Sequence, residues 1–488
     1  MTLKLFRFTG ILLLLAGCAV GPNFKNPAAP NVNGYTVTPL SNIVGTTNVI
    51  GGQAQQFVQG QDISSQWWTL FHSQPLNGLI ERSLTNNPNI KAAQAALLAA
   101  RENVLAQRGL YFPNIAGSFS ASRQKTPADI SATPASGALY FDLFTPQVSV
   151  SYVPDVFGLN RRTVESLKAQ EEQQRYALVA TYITLSANVV AAAVQEASLR
   201  AQIDATRRII AINTNMLQIL RNQFASGYTS QLAVAAQESQ LAQAEATLPP
   251  LLTQLDQQRD LLAVLAGSFP SEDLPEKFEL SSLQLPEDLP VSLPSKLVEQ
   301  RPDVRQAEEN LHSASAQIGI AIANRLPNIT LTANAGSTAL ALDQVFSSGT
   351  GFWGLGAAAT APIFEGGALL HKERAAKAVY VQAAEQYRST VLTAFQNVAD
   401  TLNALEHDGD AVRTATASAD AAKVTLNLTQ RQLQTGYANY LAALSAELAY
   451  QQALITLVQA QANRYSDTAA LFQALGGGWW NRPDLTKN

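Results

Sequence analysis

Cysteine, charge and chemistry-bearing side chains are all scarce in this chain. One cysteine, Cys18, stands among 488 residues, which excludes disulfides, cysteine-ligated metals and catalytic thiols elsewhere in the sequence. The four histidines, His72, His312, His371 and His407, are scattered without an i, i+4 pair, so no metal site is expected. Charged residues make up 14%, and a formal net charge of -4 gives no electrostatic reason to expect nucleic acid as a partner. Gly351-Phe352-Trp353-Gly354-Leu355-Gly356 is rich in glycine but lacks the Lys-Ser/Thr of a phosphate loop and does not lead into a helix. Asp400, Glu406, Asp408 and Asp410 gather in one helical stretch and read as a solvated face, not as an acid/base pair. These gaps predict a protein without catalytic residues, cofactor or metal. No run of about 20 consecutive apolar residues follows Cys18, so no transmembrane helix is expected.

What is present begins at the N-terminus. Lys4 and Arg7 form a short positive region, and Phe8 to Leu15 an apolar core too short to span a bilayer. Leu15-Ala16-Gly17-Cys18 then resembles the bacterial lipobox, in which the cysteine becomes the lipidated N-terminus after cleavage. The expectation is a signal peptide over residues 1–17 and a diacylated (palmitate-bearing) Cys18, held by two acyl chains in an outer membrane. Ala19, where an Asp would mean inner-membrane retention, agrees with outer-membrane sorting. The plainer alternative is an ordinary signal peptide with an incidental cysteine.

The mature chain is duplicated. Asn87-Pro88-Asn89-Ile90 opens an Ala-rich segment closing at Phe112-Pro113-Asn114-Ile115, and Arg301-Pro302-Asp303-Val304 opens one closing at Leu326-Pro327-Asn328-Ile329. The two prolines are 25 residues apart in both. Further on, Gln223 to Tyr228 aligns with Gln432 to Tyr437, Leu232 with Leu441, and Glu238 with Glu447. Each half predicts a helix of about 24 residues, two strands, a very long helix and a medium one. The long helices, Leu159 to Ser226 and Ala368 to Thr435, contain no proline, and at 1.5 Å per residue each would run roughly 100 Å. The medium ones cover 230–266 and 439–475, and Pro249-Pro250 should kink the first. The expected organisation is a lipidated extended segment over 18–74, a first repeat over 75–268, a Pro-rich linker over 269–294, a second repeat over 295–476 and a tail over 477–488.

Four segments alternate with period two: 114–123, 146–153, 328–337 and, more weakly, 352–361. In the first, Ile115, Gly117, Phe119 and Ala121 alternate with Ala116, Ser118, Ser120 and Ser122. Such strands suit an outer-membrane barrel, with one face to lipid and one to water. Tyr140, Phe141, Phe144, Phe352 and Trp353 would form an interfacial girdle. A small soluble sheet with one wet face has the same period. Four strands cannot close a barrel, and hydrocarbon does not tolerate open edges, so a membrane reading requires several copies. Eight strands make a filled barrel, whereas twelve, from a trimer, leave a passage.

At this point the chain resembles the outer-membrane factors, the TolC-like and NodT-like ducts of tripartite efflux systems. The resemblance rests on Cys18 to Phe24, Trp67-Trp68-Thr69-Leu70-Phe71 with Pro75 to Ile80, Glu299 to Glu308, Pro362 to Gly367, and Ala474 to Trp479. Gln74 stands where the family usually has Asp. The resemblance implies an α+β membrane protein and a homotrimer. Long antiparallel helices would form a periplasmic α-barrel, and four strands per chain a shared 12-stranded β-barrel. A periplasmic adaptor and an inner-membrane transporter would be its partners. It places Gly227 and Gly436 at the periplasmic tip turns. Relatives often carry carboxylates nine residues after that glycine, but Ala236 and Ser445 stand there, which leaves Tyr437, Asn439 and Tyr440 as the candidate aperture. A protein-secretion duct of the same architecture, or a non-conducting periplasmic coiled-coil lipoprotein, are the alternatives.

Overall fold

The computed structural model describes residues 19–47, 49–125, 140–272 and 274–486, so Cys18 and the signal segment lie outside the described residues. In chain order the first half holds β1 (Gln56–Gln59), α1 (Gln74–Asn86), α2 (Pro88–Gly109), β2 (Asn114–Lys125), β3 (Tyr140–Tyr152), α3 (Leu159–Ala225), α4 (Gln231–Ala246) and α5 (Leu248–Leu265). The second half adds β4 (Asp288–Val291), α6 (Pro294–Gln300), α7 (Pro302–Ala323), β5 (Asn328–Ser337), β6 (Gly351–Thr360), α8 (Ala368–Gln434), α9 (Tyr440–Ala474) and α10 (Pro483–Thr486). The chain divides into two compact units. One comprises Met1–Pro27, Leu97–Gln174 and Ala307–Tyr387, the other Ala28–Ala96, Arg175–Gln306 and Arg388–Asn488.

The first unit is built around an antiparallel sheet in the order β2-β3-β5-β6. Its register is what makes the alternation useful. Ile115 lies opposite Val150, Val150 opposite Ala333, and Ala333 opposite Leu355. One step along, Ala116 pairs with Ser149, Ser149 with Asn334, and Asn334 with Gly354. Apolar residues of all four strands therefore share one face, and Ser, Thr and Asn share the other. A shift of one residue in any strand would destroy this. Ile115, Phe119, Trp353 and Leu355 are exposed on the apolar face, so none of the described residues covers them.

The weak fourth segment has a physical explanation. On the polar face of β6, a Cβ at Gly354 would stand 2.5 Å from Asn334 Oδ1, and one at Gly356 would stand 2.7 Å from Thr332 Oγ1. Small residues there make room for the polar side chains of β5, while Trp353 and Leu355 carry the apolar face. β3 is longer than the sequence pattern indicates, beginning at Tyr140 rather than Pro146, because Tyr140 to Thr145 continue the ladder with β2 opposite Lys125 to Ser120. Tyr140, Phe141 and Phe144 thus sit inside a strand, not beyond its end. Phe352 and Trp353 open β6 at the same hairpin end of the sheet.

The second unit is helical. α4 and α5 run back along α3: Gln237 reaches Asn213, Gln258 Nε2 donates to Ala192 O at 3.0 Å, and Arg259 pairs with Glu196 at 3.2 Å. The break between α4 and α5 falls at Thr247, just before Pro249-Pro250, whose missing N–H groups are accommodated in the first turn of α5. α3 and α9 each contain a window long and apolar enough to cross a membrane by length and composition. Neither holds an uninterrupted apolar run, because Ala raises the average while Ser, Thr and Gln break the run. In α3, 61% of that window is buried, as befits a core helix.

The linker over 269–294 is not loose chain. Phe278, Leu280, Leu283 and Leu289 are buried, and β4 pairs in parallel with β1, Gln56 opposite Asp288. Apolar side chains spaced between the prolines give this stretch a core of its own to bury. Nor is the C-terminal segment a free tail. Trp479 is buried and its indole donates to Gln300 O at 2.7 Å, while Trp480 Nε1 and Asn481 Nδ2 both donate to the Asp62 carboxylate at 2.8 Å.

The sheet register generates a test. Gly356→Val places a branched side chain against Thr332 and is expected to cost about 1–3 kcal/mol, as overpacking does. It should lower the unfolding midpoint in detergent. Combining it with Thr332→Gly should recover most of the loss, and a double variant as weak as the single one would refute the cross-strand explanation.

Candidate functional site

Three places on the chain carry features that go beyond packing: the ends of the helical hairpins, the anchoring of the N-terminal segment, and two acidic groups of the second hairpin. At the hairpin ends the local sequence dictates the turn. Gly227 adopts φ 76° and Gly436 φ 81°, the left-handed conformation in which a Cβ is costly. Tyr228 N donates to Gln223 O and Gly227 N to Phe224 O, and Tyr437 N donates to Gln432 O and Gly436 N to Leu433 O. This doubled pattern is a Schellman motif, which satisfies the last free carbonyls of each long helix. Ser230 then caps α4 and Asn439 caps α9, each side chain accepting from a backbone N–H three residues on.

The three aperture candidates are thereby separated. Tyr437 is exposed at the turn. Asn439 is occupied as a helix cap, its Oδ1 accepting from Ala442 N at 2.9 Å. Tyr440 turns inward, and its hydroxyl donates to Gln237 Oε1 at 2.8 Å. Ala236 is half-buried and Ser445 exposed, the latter hydrogen-bonding only to Leu441 O of its own helix.

Tyr440 belongs to a buried polar network that the sequence did not disclose. Gln237 Nε2 donates to Asn213 Oδ1 at 2.8 Å and to Asn213 O at 3.2 Å, and Asn213 Nδ2 donates to Ile209 O at 3.0 Å. Both amides are fully buried. Beside them Glu447 is 1% exposed, and neither carboxylate oxygen has a hydrogen-bond partner. Burial pushes its carboxyl up to about 7, against the Asn213 amide, which favours the charged form. The same layer holds Met216, Leu220, Leu433 and Ala443, so the first hairpin (α3/α4) and the second (α8/α9) share one core here.

A second acidic group changes the reading of the cluster in α8. Asp400 and Asp410 are exposed, as a solvated face requires. Asp408 is not. Burial, with the adjacent Asp467 carboxylate, raises it to about 7, and Arg464 opposes the shift. Arg464 is itself buried and donates to Gln55 Oε1, Gly51 O and Gln53 O, holding residues 51–55 against α9.

In the first unit the residues just after Cys18 are firmly seated. The buried Arg162 guanidinium donates to Val20 O at 2.9 Å, Gly21 O at 3.2 Å and Asn23 Oδ1 at 2.9 Å. Val20 N donates to Phe157 O at 3.1 Å, and Phe24 stacks on His312 with ring centroids 4.3 Å apart. His312 is held above its ordinary pKa by hydrogen bonds to Glu309 and Glu165. Ala19 therefore lies close to the start of α3, only a few residues from the end of β3.

This seat can be tested. Losing hydrogen bonds from a charged donor costs about 1.5–3 kcal/mol each. Arg162→Met is expected to raise the rate of tryptic cleavage after the exposed Lys25 by tenfold or more; an unchanged rate would show that the segment is held by other contacts.

The comparisons with known proteins now bear on these features. A family model described as "Outer membrane efflux protein" matches residues 79–268 and 293–477, that is, both repeats. The probable efflux pump outer membrane protein SepC of Pseudomonas putida is 30% identical over 474 residues, covering 96% of this chain and 95% of its own length. The probable efflux pump outer membrane protein TtgC of the same species is 29% identical over 489 residues, with 99% and 97% covered. The crystal structure of the outer membrane protein VceC from Vibrio cholerae superposes with a TM-score of 0.78 at 27% identity, over 86% of this chain and 100% of that one. With both repeats matched in order along nearly the whole chain, the protein is a member of the outer membrane efflux protein family.

Proposed function

We propose that this chain is the outer-membrane exit duct of a tripartite efflux pump, conducting small molecules passively as a homotrimer. The observation that carries the reading is the sheet of the first unit. Its four strands place apolar side chains on one face and small polar ones on the other, and among the described residues its outer strands β2 and β6 have unpaired edges. An open edge in hydrocarbon leaves N–H and C=O groups unsatisfied at several kcal/mol each. Pairing β6 of one copy with β2 of the next satisfies both edges, and three copies give a 12-stranded barrel wide enough for water.

The remaining features fit the same reading. Cys18 carries the acyl anchor, and the Arg162 seat fixes residues 19–24 near the membrane end of α3. The two long helices of each chain, with the shorter helices beside them, form the periplasmic tunnel in three copies, and the exposed face of α9 is covered by neighbouring copies. Gly227 and Gly436 mark the periplasmic tip, where Tyr437 stands at the aperture. A periplasmic adaptor and an inner-membrane transporter deliver the cargo and the energy, since the family is one of channels and not of enzymes.

The native mass of the lipidated protein in mild detergent tests the assembly. A trimer is expected, together with an N-terminal peptide whose mass includes acyl chains on Cys18. Cysteines placed at Ser118 and Ala358, on the two edge strands, should cross-link between copies and not within one. A stable monomer in several detergents would sink the duct reading.

A further inference from the structure

The two repeats treat one matched glutamate in opposite ways. In the first hairpin Glu238 is exposed and pairs with Arg221 at 2.8 Å. Its counterpart in the second hairpin is Glu447. The offset that aligns these two places Gln430 where the first repeat has Arg221. Glu447 thus has no cation and points inward instead of outward, into the layer where the hairpins meet.

From α3 Glu447 is met by Asn213, whose amide is in turn bonded to Gln237 of α4, so both groups in this chain of contacts are neutral. From α8 the buried residues at this end, Leu426 and Leu433, are apolar. On its own helix the titratable neighbours are Tyr440 and Tyr450, and burial together with the charge of Glu447 raises Tyr440. A neutral carboxyl suits this site, because it has no charge to desolvate and the one group that favours ionisation, the Asn213 amide, carries no charge of its own. An ionised one does not, because a buried charge without a partner is expensive and seeks water.

We propose that Glu447 is a proton-operated latch between the two tip hairpins. Protonated, it lets α9 pack against α3 and α4; ionised, it draws water into the layer and loosens α9. The sign follows from the raised value of its carboxyl in the folded chain. The closed packing binds the proton more tightly than an opened tip does, so its advantage is full at low pH and is lost as pH rises toward and through 7. The latch itself rests on these contacts alone; its effect on passage rests on the duct reading above.

Hydrogen exchange of the full-length lipidated protein in detergent reads the latch directly. Amides in 209–216 and 440–450 are compared between the wild type and Glu447→Gln at each pH, so that the intrinsic pH dependence of exchange cancels. The wild-type-to-variant ratio should rise about tenfold between pH 5.5 and pH 8. Glu447→Met, which keeps bulk but cannot ionise, should also exchange without the extra pH dependence. A ratio that is flat with pH, or offset equally at every pH, would overturn the proposal and leave Glu447 a packing residue. Conductance in planar bilayers over the same range is a separate reading: no conductance at any pH would count against the duct and leave the exchange result standing.

Discussion

A peptide group in hydrocarbon has no water to bond with, and most of this structure answers to that constraint. The sheet can meet lipid only if every strand presents the same face at once. The register does this by aligning Ile115, Val150, Ala333 and Leu355 across four strands. Even the poorest strand obeys, since Gly354 and Gly356 yield space to Asn334 and Thr332 while Trp353 and Leu355 supply the apolar side. What remains unsatisfied among the described residues is the pair of outer edges, and that deficit is what the proposed trimer would remove.

The helical unit faces a different constraint. Long helices rich in Ala pack closely but bury little area per residue, so their ends and midpoints are fixed by a few specific devices. Schellman turns and caps close the hairpins at Gly227 and Gly436. Aromatic stacking of Trp67 on Phe472, at 5.1 Å between centroids, and the Arg464 clamp on residues 51–55 tie the extended N-terminal segment to the helices. Into this otherwise apolar arrangement the chain places two carboxyl groups held near neutrality, Asp408 and Glu447. Buried groups of this kind cost stability, which makes them informative wherever they occur between elements that can separate.

Local rules fixed much of the reading in advance. The duplication, the two long helices, the four strands and the hairpin-turn glycines each follow from period, proline placement or turn chemistry, which act within a few residues. The same locality explains the failures. The packing of the 269–294 linker could not be read from its prolines, because its partner strand, β1, lies more than 200 residues away. The acidic run at 400–410 looked uniformly solvated because Asp467, which meets Asp408, is on another helix. Tyr437, Asn439 and Tyr440 looked equivalent because they are neighbours in sequence, yet one is exposed, one is a cap and one points inward.

The sequence by itself determined the elements, their order and the amphipathic character of the strands, since these depend on side-chain period and backbone conformation. Only the tertiary structure decided which polar groups lose water. Glu238 and Glu447 are matched residues in matched helices, and no local rule separates them. Burial does: one keeps an arginine and the solvent, whereas the other is buried beside Asn213 of α3, because desolvation depends on everything packed around a group and not on its neighbours in the chain.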